Sequence, residues 1–346
     1  MNLFVKEWIR WKNVLSVAES GSPAENFTTT RKAVWKKGKA VLWVYPAAKR
    51  AYRTPVFMIY SPVNEPFILD LMPGYSAIGS FVDSGFDVYL LDFGTPDQSD
   101  RDLSLEQYIS GYIQQGARRV LEHSGASDLT LIGYCLGGTL AAIYAAVAKE
   151  KIRNLILFST PVDFEVFPVF DEWANAVKKD SLSLDEVIEK KGILPEQYVE
   201  TGIRLLTSPI YYSPYLDLVA KADDSDYVLK WKRYNQWTKS CRPLPGAFVK
   251  DLIRYFVKDN SLVGGGIVIG GKRADLLAIR SSVLMIASEF DKLVPKSQSE
   301  PLMNLVGSQD KTFHLLQSGH VPLAVKNGTL PEPLAEWLPS RSNPLK

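Results

Sequence analysis

The chain is 346 residues long, and its 46% apolar and 23% charged residues are ordinary values for a globular enzyme. A net charge of +2 gives no electrostatic reason to expect nucleic acid as a partner. Two cysteines are too few for a disulfide framework and favour a reducing compartment. Neither a signal peptide nor an apolar run of about 20 residues is visible. We therefore expect a cytoplasmic protein without a transmembrane segment.

Residues 1–20 show the spacing of an amphipathic helix, in which Trp8 and Trp11 lie among lysines and arginines. A helix of this kind usually packs on its own domain. Two tryptophans beside positive charges also suit an interface with a partner protein or an apolar surface. The polar stretch that follows, up to residue 39, predicts a loop. We assign residues 1–34 to an N-terminal segment made of this helix and loop.

Short apolar runs further along the chain predict buried strands, and helical patterns lie between them. The predicted strands are 40–45, 55–60, 87–92, 129–134, 154–158, 282–287 and 312–316, and the predicted helices include 104–123, with Ser104 as N-cap, and 333–338. This alternation indicates an α/β fold with a mostly parallel sheet covered by helices on both faces. Residues 164–278 are rich in aromatic residues and proline and show no clear strand series. We predict that they form a cap subdomain inserted into a core of residues 35–163 and 279–346.

Residues 129–142 read as a buried strand, a tight turn and a helix of small residues, with Cys135 at the turn. This pattern is similar to the nucleophile elbow of α/β-hydrolases, with cysteine in the place of serine. Gly133 and Gly137 flank a strained residue where a side chain would collide with the neighbouring strand or helix, and Gly138 lets the helix pack closely. The partial positive charge at the helix start favours a thiolate nucleophile at Cys135.

Only three histidines are candidates for the general base that a cysteine nucleophile needs. The α/β-hydrolase order of nucleophile, acid and histidine excludes His123, which precedes the elbow at a predicted helix end. His314 lies inside a predicted strand, where a structural role is the natural interpretation. His320 follows that strand in a loop that can face the elbow, so we predict His320 as the base.

The acid that orients this histidine should follow the strand before it. Asp291 lies in the loop after residues 282–287, and its predicted role is to bind the second imidazole nitrogen and stabilise the imidazolium. Glu289 and Asp92 are the alternatives, since both also lie near a predicted strand end. The second cysteine, Cys241, has no comparable setting and is predicted to be structural.

Acyl transfer also requires hydrogen-bond donors for the oxyanion that develops on the substrate carbonyl. One predicted donor is the main-chain N–H of Leu136, directly after the nucleophile. The second should come from the loop at residues 61–65. Since Pro62 has no N–H, Val63 is the nearest candidate, and Asn64 could instead shape the turn.

Four longer stretches and several short motifs resemble the polyhydroxyalkanoate synthases, and the likeness runs from about residue 35 to residue 337. The stretches are residues 62–70, 86–94, 133–138 and 154–163, and the motifs lie at 245–247, 264–266, 318–320 and the Asp291 loop. Esterases that share the fold are not expected to carry all of these around a cysteine elbow. The short length resembles the catalytic subunit of the two-subunit synthases.

The resemblance implies an acyltransferase that polymerises (R)-3-hydroxyacyl-coenzyme A, with short-chain 3-hydroxybutyryl-coenzyme A as the expected substrate and no cofactor or metal. It makes Cys135 the acyl carrier, His320 the base and Asp291 the third member of the triad. It also implies a growing polyester chain, a second synthase subunit, a homo-oligomer and a location at the surface of polymer granules. All of these are expectations.

Two positions near the predicted triad depart from the family pattern. Family members often have histidine directly after the aspartate and glycine soon after the catalytic histidine, whereas Lys292 and Pro322 stand here. These departures leave the triad intact and leave local loop geometry and substrate preference open. Two other functions are also open: a cysteine-dependent hydrolase such as a thioesterase, lactone hydrolase or polyester depolymerase, and a non-enzymatic binding module on the same fold.

Overall fold

The computed structural model describes residues 27–165, 175, 177–179, 184–207, 218, 221–321, 330 and 332–345. The amphipathic helix predicted for residues 1–20, with Trp8 and Trp11, and the departure at Pro322 lie outside these ranges. Among the described helices, none combines the length and the apolar character that crossing a bilayer requires.

Eight strands form one sheet in the order β1–β2–β4–β3–β5–β6–β7–β8. Strand β2 runs antiparallel to both β1 and β4, and the remaining neighbours are parallel. Both faces of the central strands are buried, which explains why they appear in the sequence as continuous apolar runs. The strands are β1 (Lys32–Lys37), β2 (Ala40–Tyr45), β3 (Val56–Ile59), β4 (Val88–Asp92), β5 (Leu129–Tyr134), β6 (Ile152–Phe158), β7 (Ser282–Ser288) and β8 (Lys311–Leu316).

The helices are distributed over both faces of this sheet and over the segment between β6 and β7. They are α1 (Ala77–Asp83), α2 (Gln114–Ser124), α3 (Leu136–Val147), α4 (Asp185–Lys191), α5 (Glu196–Thr207), α6 (Ser225–Thr238), α7 (Gly246–Leu252), α8 (Ser261–Gly264), α9 (Lys296–Ser299), α10 (Leu302–Leu305) and α11 (Leu334–Trp337). Gln107–Ile113 and Ile253–Lys258 are π-helical, and Pro66–Leu69, Gln98–Asp100, Leu276–Ala278 and Pro339–Arg341 form 3-10 turns.

Side chains that alternate along the strands divide the core into two layers. Leu131 on β5 belongs to the layer under α2 and α3, whereas Ile132 belongs to the layer under α1 and α11. This two-sided burial is what the alternation of strands and helices predicted. The sheet order, the parallel pairing and the two helical layers confirm the predicted α/β-hydrolase arrangement.

The prediction of a loop before residue 40 is wrong, because Lys32–Lys37 form β1 at the edge of the sheet. Only Val34 and Trp35 are partly buried in it, and the turn into β2 uses Gly38 at a φ of +55°. An edge strand has one paired side and keeps lysines in solvent, so it carries no continuous apolar run. Strand β1 also straddles the predicted boundary at residue 34.

Between β6 and β7 the chain leaves the central sheet at Phe158 and returns to it at Ser282. The described part of this excursion holds α4 to α8 and short strand pairs, Ile193–Leu194 with Leu244–Pro245 and Val268–Ile269 with Lys272–Arg273. A further short pair, Asp70–Met72 with Tyr75–Ser76, precedes α1. The division into core and inserted cap, with its bounds, stays a prediction.

The parallel register brings several carboxyl ends of strands to one edge of the sheet. Tyr134 of β5 pairs with Phe158 of β6, Ile286 of β7 also pairs with Phe158, and Ser288 pairs with Leu316 of β8. The loops that carry Cys135, Asp291 and His320 therefore begin at neighbouring points. In open α/β sheets, this is the edge where ligands bind.

Candidate active site

Cys135 occupies a strained main-chain conformation between β5 and α3, with φ +53° and ψ −130°. Its N–H donates to the carbonyl of Phe158 at 2.9 Å, and its own carbonyl accepts from the N–H of Gly138 at 2.8 Å. A non-glycine residue at positive φ persists only where its surroundings hold it in place, and such residues cluster at functional sites. The turn is therefore a built elbow that presents the sulfur at the start of α3.

The three elbow glycines are required by close packing, as the sequence predicted. A Cβ on Gly133 would lie 2.4 Å from Cα of Gly138, and one on Gly137 would lie 2.5 Å from the carbonyl carbon of Tyr60. On Gly138 it would lie 1.9 Å from Oγ1 of Thr160. None of these distances is possible for a real side chain, so β3, β5 and α3 can approach this closely only around glycine.

Asp291 and His320 are joined by a hydrogen bond of 2.8 Å between Oδ2 and Nδ1. The other carboxylate oxygen, Oδ1, accepts the main-chain N–H groups of Leu293 and Val294, both at 2.9 Å. The Asp291 side chain is 0% exposed and the His320 side chain is 17% exposed. Because an ionised carboxylate only accepts hydrogen bonds, Nδ1 carries a proton and Nε2 is left for a second partner.

Cys135 lies close enough to His320 to influence the pKa of the imidazole. Burial by itself lowers the pKa of His320, but the neighbouring Asp291 and Cys135 outweigh it and raise the pKa from 6.5 to about 10. At neutral pH the imidazole therefore holds two protons. Chemically, this arrangement provides a nucleophile and a proton donor near each other.

The two alternative acids are engaged elsewhere. The Glu289 carboxylate forms an ion pair with Lys296 at 3.1 Å. The Asp92 carboxylate lies 2.6 Å from Nη1 of Arg242, a side chain that is 9% exposed. Of the three acids considered from sequence, Asp291 is the one placed against His320.

The other two histidines lie away from the elbow. Nδ1 of His123 lies 2.8 Å from the hydroxyl of Tyr89, at the end of α2. His314 lies within β8, where it pairs with Ile286. Both positions fit the structural roles expected for them.

A stacked pair of buried tyrosines forms the wall beside the candidate base. The rings of Tyr60 and Tyr134 lie 5.5 Å apart, and Tyr134 meets His320 edge to face at 5.8 Å. Burial raises the pKa of both phenols well above the ordinary value, so both are neutral donors. The sequence analysis did not single out Tyr134, although a large aromatic residue next to the elbow cysteine was an available signal.

The loop at residues 61–65 lies at the carboxyl end of β3, where the second oxyanion donor was predicted. The Val63 N–H points at the hydroxyl of Ser61 at 3.3 Å, so a substrate oxygen would compete with this long hydrogen bond. The Leu136 N–H is at the first position of α3, where no intrahelical acceptor exists. The assignment of Leu136 and Val63 as oxyanion donors stays a prediction.

A cavity of about 270 Å³ lies between the candidate base and helices α5 and α6. Its walls are largely aromatic and aliphatic, with His320, Lys292, Asn64 and Cys241 among the polar or reactive residues that line it. Burial raises the pKa of the Cys241 thiol to about 11, which disfavours a thiolate there and fits its structural assignment. In the described part of the chain, no cluster of three or more histidine, cysteine, aspartate or glutamate side chains could hold a metal ion.

The fold of this chain is similar to that of known α/β-hydrolases. A family model described as the alpha/beta hydrolase fold matches residues 72–192. A thermophilic esterase from Thermogutta terrifontis is 15% identical with a TM-score of 0.51, covering 91% of this chain and 100% of that one. A monoacylglycerol lipase from Paleococcus ferrophilus is 17% identical with a TM-score of 0.51, covering 87% and 99%. At such low identity, this likeness shows the fold alone.

Sequence similarity to known proteins identifies the family of this chain as well as its fold. A poly(3-hydroxyalkanoate) polymerase subunit PhaC from Allochromatium vinosum is 31% identical over 319 residues, which are 90% of this chain and 88% of that protein. The protein of the same description from Haloferax mediterranei is 30% identical over 332 residues, covering 94% of this chain and 67% of that protein. On this similarity, the chain belongs to the family of poly(3-hydroxyalkanoate) polymerase subunits, which are acyltransferase-type enzymes, and has the α/β-hydrolase fold.

Proposed function

We propose that this chain polymerises (R)-3-hydroxyacyl groups from coenzyme A thioesters into a polyester, with Cys135 as the covalent acyl carrier. The observation that carries the proposal is the 2.8 Å hydrogen bond between Asp291 and His320, next to the strained elbow that presents Cys135. Short-chain groups such as 3-hydroxybutyryl are the expected substrates, and the chemistry requires no cofactor. The membership in the polymerase family supports the substrate class.

Loading is a thioester exchange. The Cys135 sulfur attacks the thioester carbonyl carbon, the new C–S bond forms, and the carbonyl electrons move onto oxygen as an oxyanion. When the oxyanion collapses, the C–S bond to coenzyme A breaks, and the leaving thiolate takes the Nε2 proton of His320. Because one thioester replaces another, the bound acyl group keeps its activation, which a serine ester would partly lose.

In elongation, His320 accepts a proton instead of giving one up. Neutral His320 removes the proton from the 3-hydroxyl of an incoming monomer or a growing chain, and the hydroxyl oxygen attacks the acyl carbonyl on Cys135. A C–O ester bond forms, the C–S bond breaks, and Cys135 leaves as a thiolate beside the imidazolium. Asp291 fixes the tautomer and stabilises the imidazolium in both steps.

Water is the competing acceptor, since attack by water would end the polymer. The aromatic and aliphatic cavity between α5, α6 and the His320 loop is suited to excluding it. A closed cap that excludes water also obstructs coenzyme A thioesters and a growing chain, so a second component must favour the open state.

We assign that role to a second synthase subunit, because the relatives of this chain are described as subunits. Residues 1–20 with Trp8 and Trp11 are the proposed docking segment, on their sequence pattern alone. We further propose a homo-oligomer located in the cytoplasm at the surface of polymer granules. The test of docking is a Trp8→Ala/Trp11→Ala chain, which should fold normally and lose activation by the partner.

The proposed reaction is tested with purified chain and 3-hydroxybutyryl-coenzyme A, with and without a candidate second subunit, following thiol release and polymer together. We expect a slow or lagging reaction by the chain alone, fast thiol release with polymer when the partner is present, and no reaction by Cys135→Ala. Soluble hydroxy acid as the sole product would instead establish a cysteine hydrolase. Inertness of Cys135 towards acyl donors and thiol reagents would establish a binding module.

A further inference from the structure

Asn64 is a mostly buried polar residue in the loop that follows β3. It is 8% exposed and lines the cavity that contains His320. Its main chain bridges to Cys241, and no atom of its amide is among the fully buried, unpartnered polar atoms of the described residues. Ligand pockets combine mostly apolar walls with a few polar groups that orient the ligand, and Asn64 is such a group on the wall of this cavity.

The main chain around Asn64 is held firmly by the cap segment that follows α6. The Arg242 N–H donates to the Val63 carbonyl at 2.8 Å, and the Glu65 N–H donates to the Ser240 carbonyl at 3.2 Å. These two hydrogen bonds flank Asn64 on both sides. A side chain on so constrained a segment is already oriented before substrate binds, which is what electrostatic stabilisation of a transition state requires.

We infer that the Asn64 side chain is a substrate-binding group that donates from Nδ2 to the thioester carbonyl oxygen as it becomes the oxyanion. The inference rests on the proposed acyl transfer at Cys135 and adds a side-chain donor to it. In the structure the Val63 N–H already points at the Ser61 hydroxyl. The Leu136 N–H at the start of α3 and the Asn64 amide would then approach the oxyanion from two different loops.

The experiment compares two reactions of the same sulfur. Acylation of Cys135 by a coenzyme A thioester builds an oxyanion, whereas alkylation by iodoacetamide displaces iodide from a saturated carbon and builds none. Single-turnover acylation is measured for wild type, Asn64→Ala and Asn64→Asp, with the second subunit present, using 3-hydroxybutyryl-coenzyme A and butyryl-coenzyme A. Asn64→Asp keeps the shape of the side chain and supplies a second variant if Asn64→Ala does not fold.

Loss of one oxyanion donor should slow acylation about 10²- to 10³-fold in Asn64→Ala. We expect the same loss with both thioesters, unchanged alkylation, and still slower acylation in Asn64→Asp, whose negative charge opposes the oxyanion. Wild-type acylation rates in the variants would overturn the inference. So would a loss confined to 3-hydroxybutyryl-coenzyme A, which would assign Asn64 to the 3-hydroxyl, or an equal loss in alkylation, which would assign it a structural role. A wild-type chain that is alkylated but never acylated would refute the proposed function itself.

Discussion

The hydroxyl of Tyr134 donates a hydrogen bond to the main-chain carbonyl of His320. The residue before the elbow cysteine thus fastens the loop that carries the candidate base. The contact joins β5 to a loop 186 residues further along the chain. One residue is therefore covalently joined to the elbow cysteine and hydrogen-bonded to the loop that carries the imidazole.

Tyr134→Phe removes this hydrogen bond and little else. We expect the free energy of unfolding to fall by about 0.5–1.5 kcal/mol and acylation of Cys135 to slow, because the imidazole is less well oriented. The imidazole resonances of His320 should shift in NMR spectra. Tyr60→Phe is the control, since its ring occupies the same stack next to Tyr134. An unshifted His320 spectrum in Tyr134→Phe would contradict the positioning role.

Asp291→Asn should lower the pKa of His320 from its raised value of about 10, because the carboxylate charge is lost. A folded-state pKa above the unfolded value of 6.5 stabilises the fold below pH 6.5, and this contribution disappears as the pH rises towards 10. The variant should therefore be most destabilised relative to wild type below pH 6.5, and the difference should narrow by pH 10. Denaturant unfolding across this pH range measures the difference, and a gap that widens with pH would refute the assignment.

Gly138→Ala places a methyl group against the buried side chain of Thr160 and should destabilise the protein by about 1–3 kcal/mol through overpacking. The matched control is Gly202→Ala in α5, where the added methyl group meets nothing within 4 Å. It should stabilise the protein by up to about 1 kcal/mol through helix propensity. Equal effects of the two substitutions on thermal unfolding would contradict the packing argument.

Arg242→Ala leaves the Asp92 carboxylate, 18% exposed, without its 2.6 Å partner. Breaking a buried pair in this way costs about 3–5 kcal/mol. Arg119→Ala also breaks an ion pair, to Glu122 at 2.8 Å, but both side chains are more than half exposed, so it should cost less than about 1 kcal/mol. Urea unfolding measures both losses of stability, and similar midpoints for the two variants would contradict the larger contribution assigned to the buried Arg242 pair.

Local patterns in the sequence were sufficient to predict most strands of the core. Strand β5 begins and ends at the predicted residues, because a strand buried on both faces is a continuous apolar run. Strand β1 was not predicted, because its lysines face solvent at the sheet edge and interrupt the apolar pattern. The predicted helix at 104–123 contains a π-helical segment, Gln107–Ile113, that side-chain spacing cannot distinguish from an α-helix.

The candidate site was predictable in its members but not in its supporting contacts. Cys135, Asp291 and His320 each follow a strand, and parallel strands bring such loops together at one edge. The contacts of Tyr134 and the orientation of Asn64 depend on segments far away in the chain. They are properties of the tertiary structure and leave no local signature in the sequence.

The most direct test of covalent catalysis at Cys135 is mass spectrometry of the chain quenched during turnover with 3-hydroxybutyryl-coenzyme A and the second subunit. We expect a ladder of species on the peptide that contains Cys135, spaced by the mass of one hydroxybutyryl unit and released by neutral hydroxylamine. Cys135→Ala should carry no ladder. Acyl groups on another residue, or polymer formed by Cys135→Ala, would contradict the account.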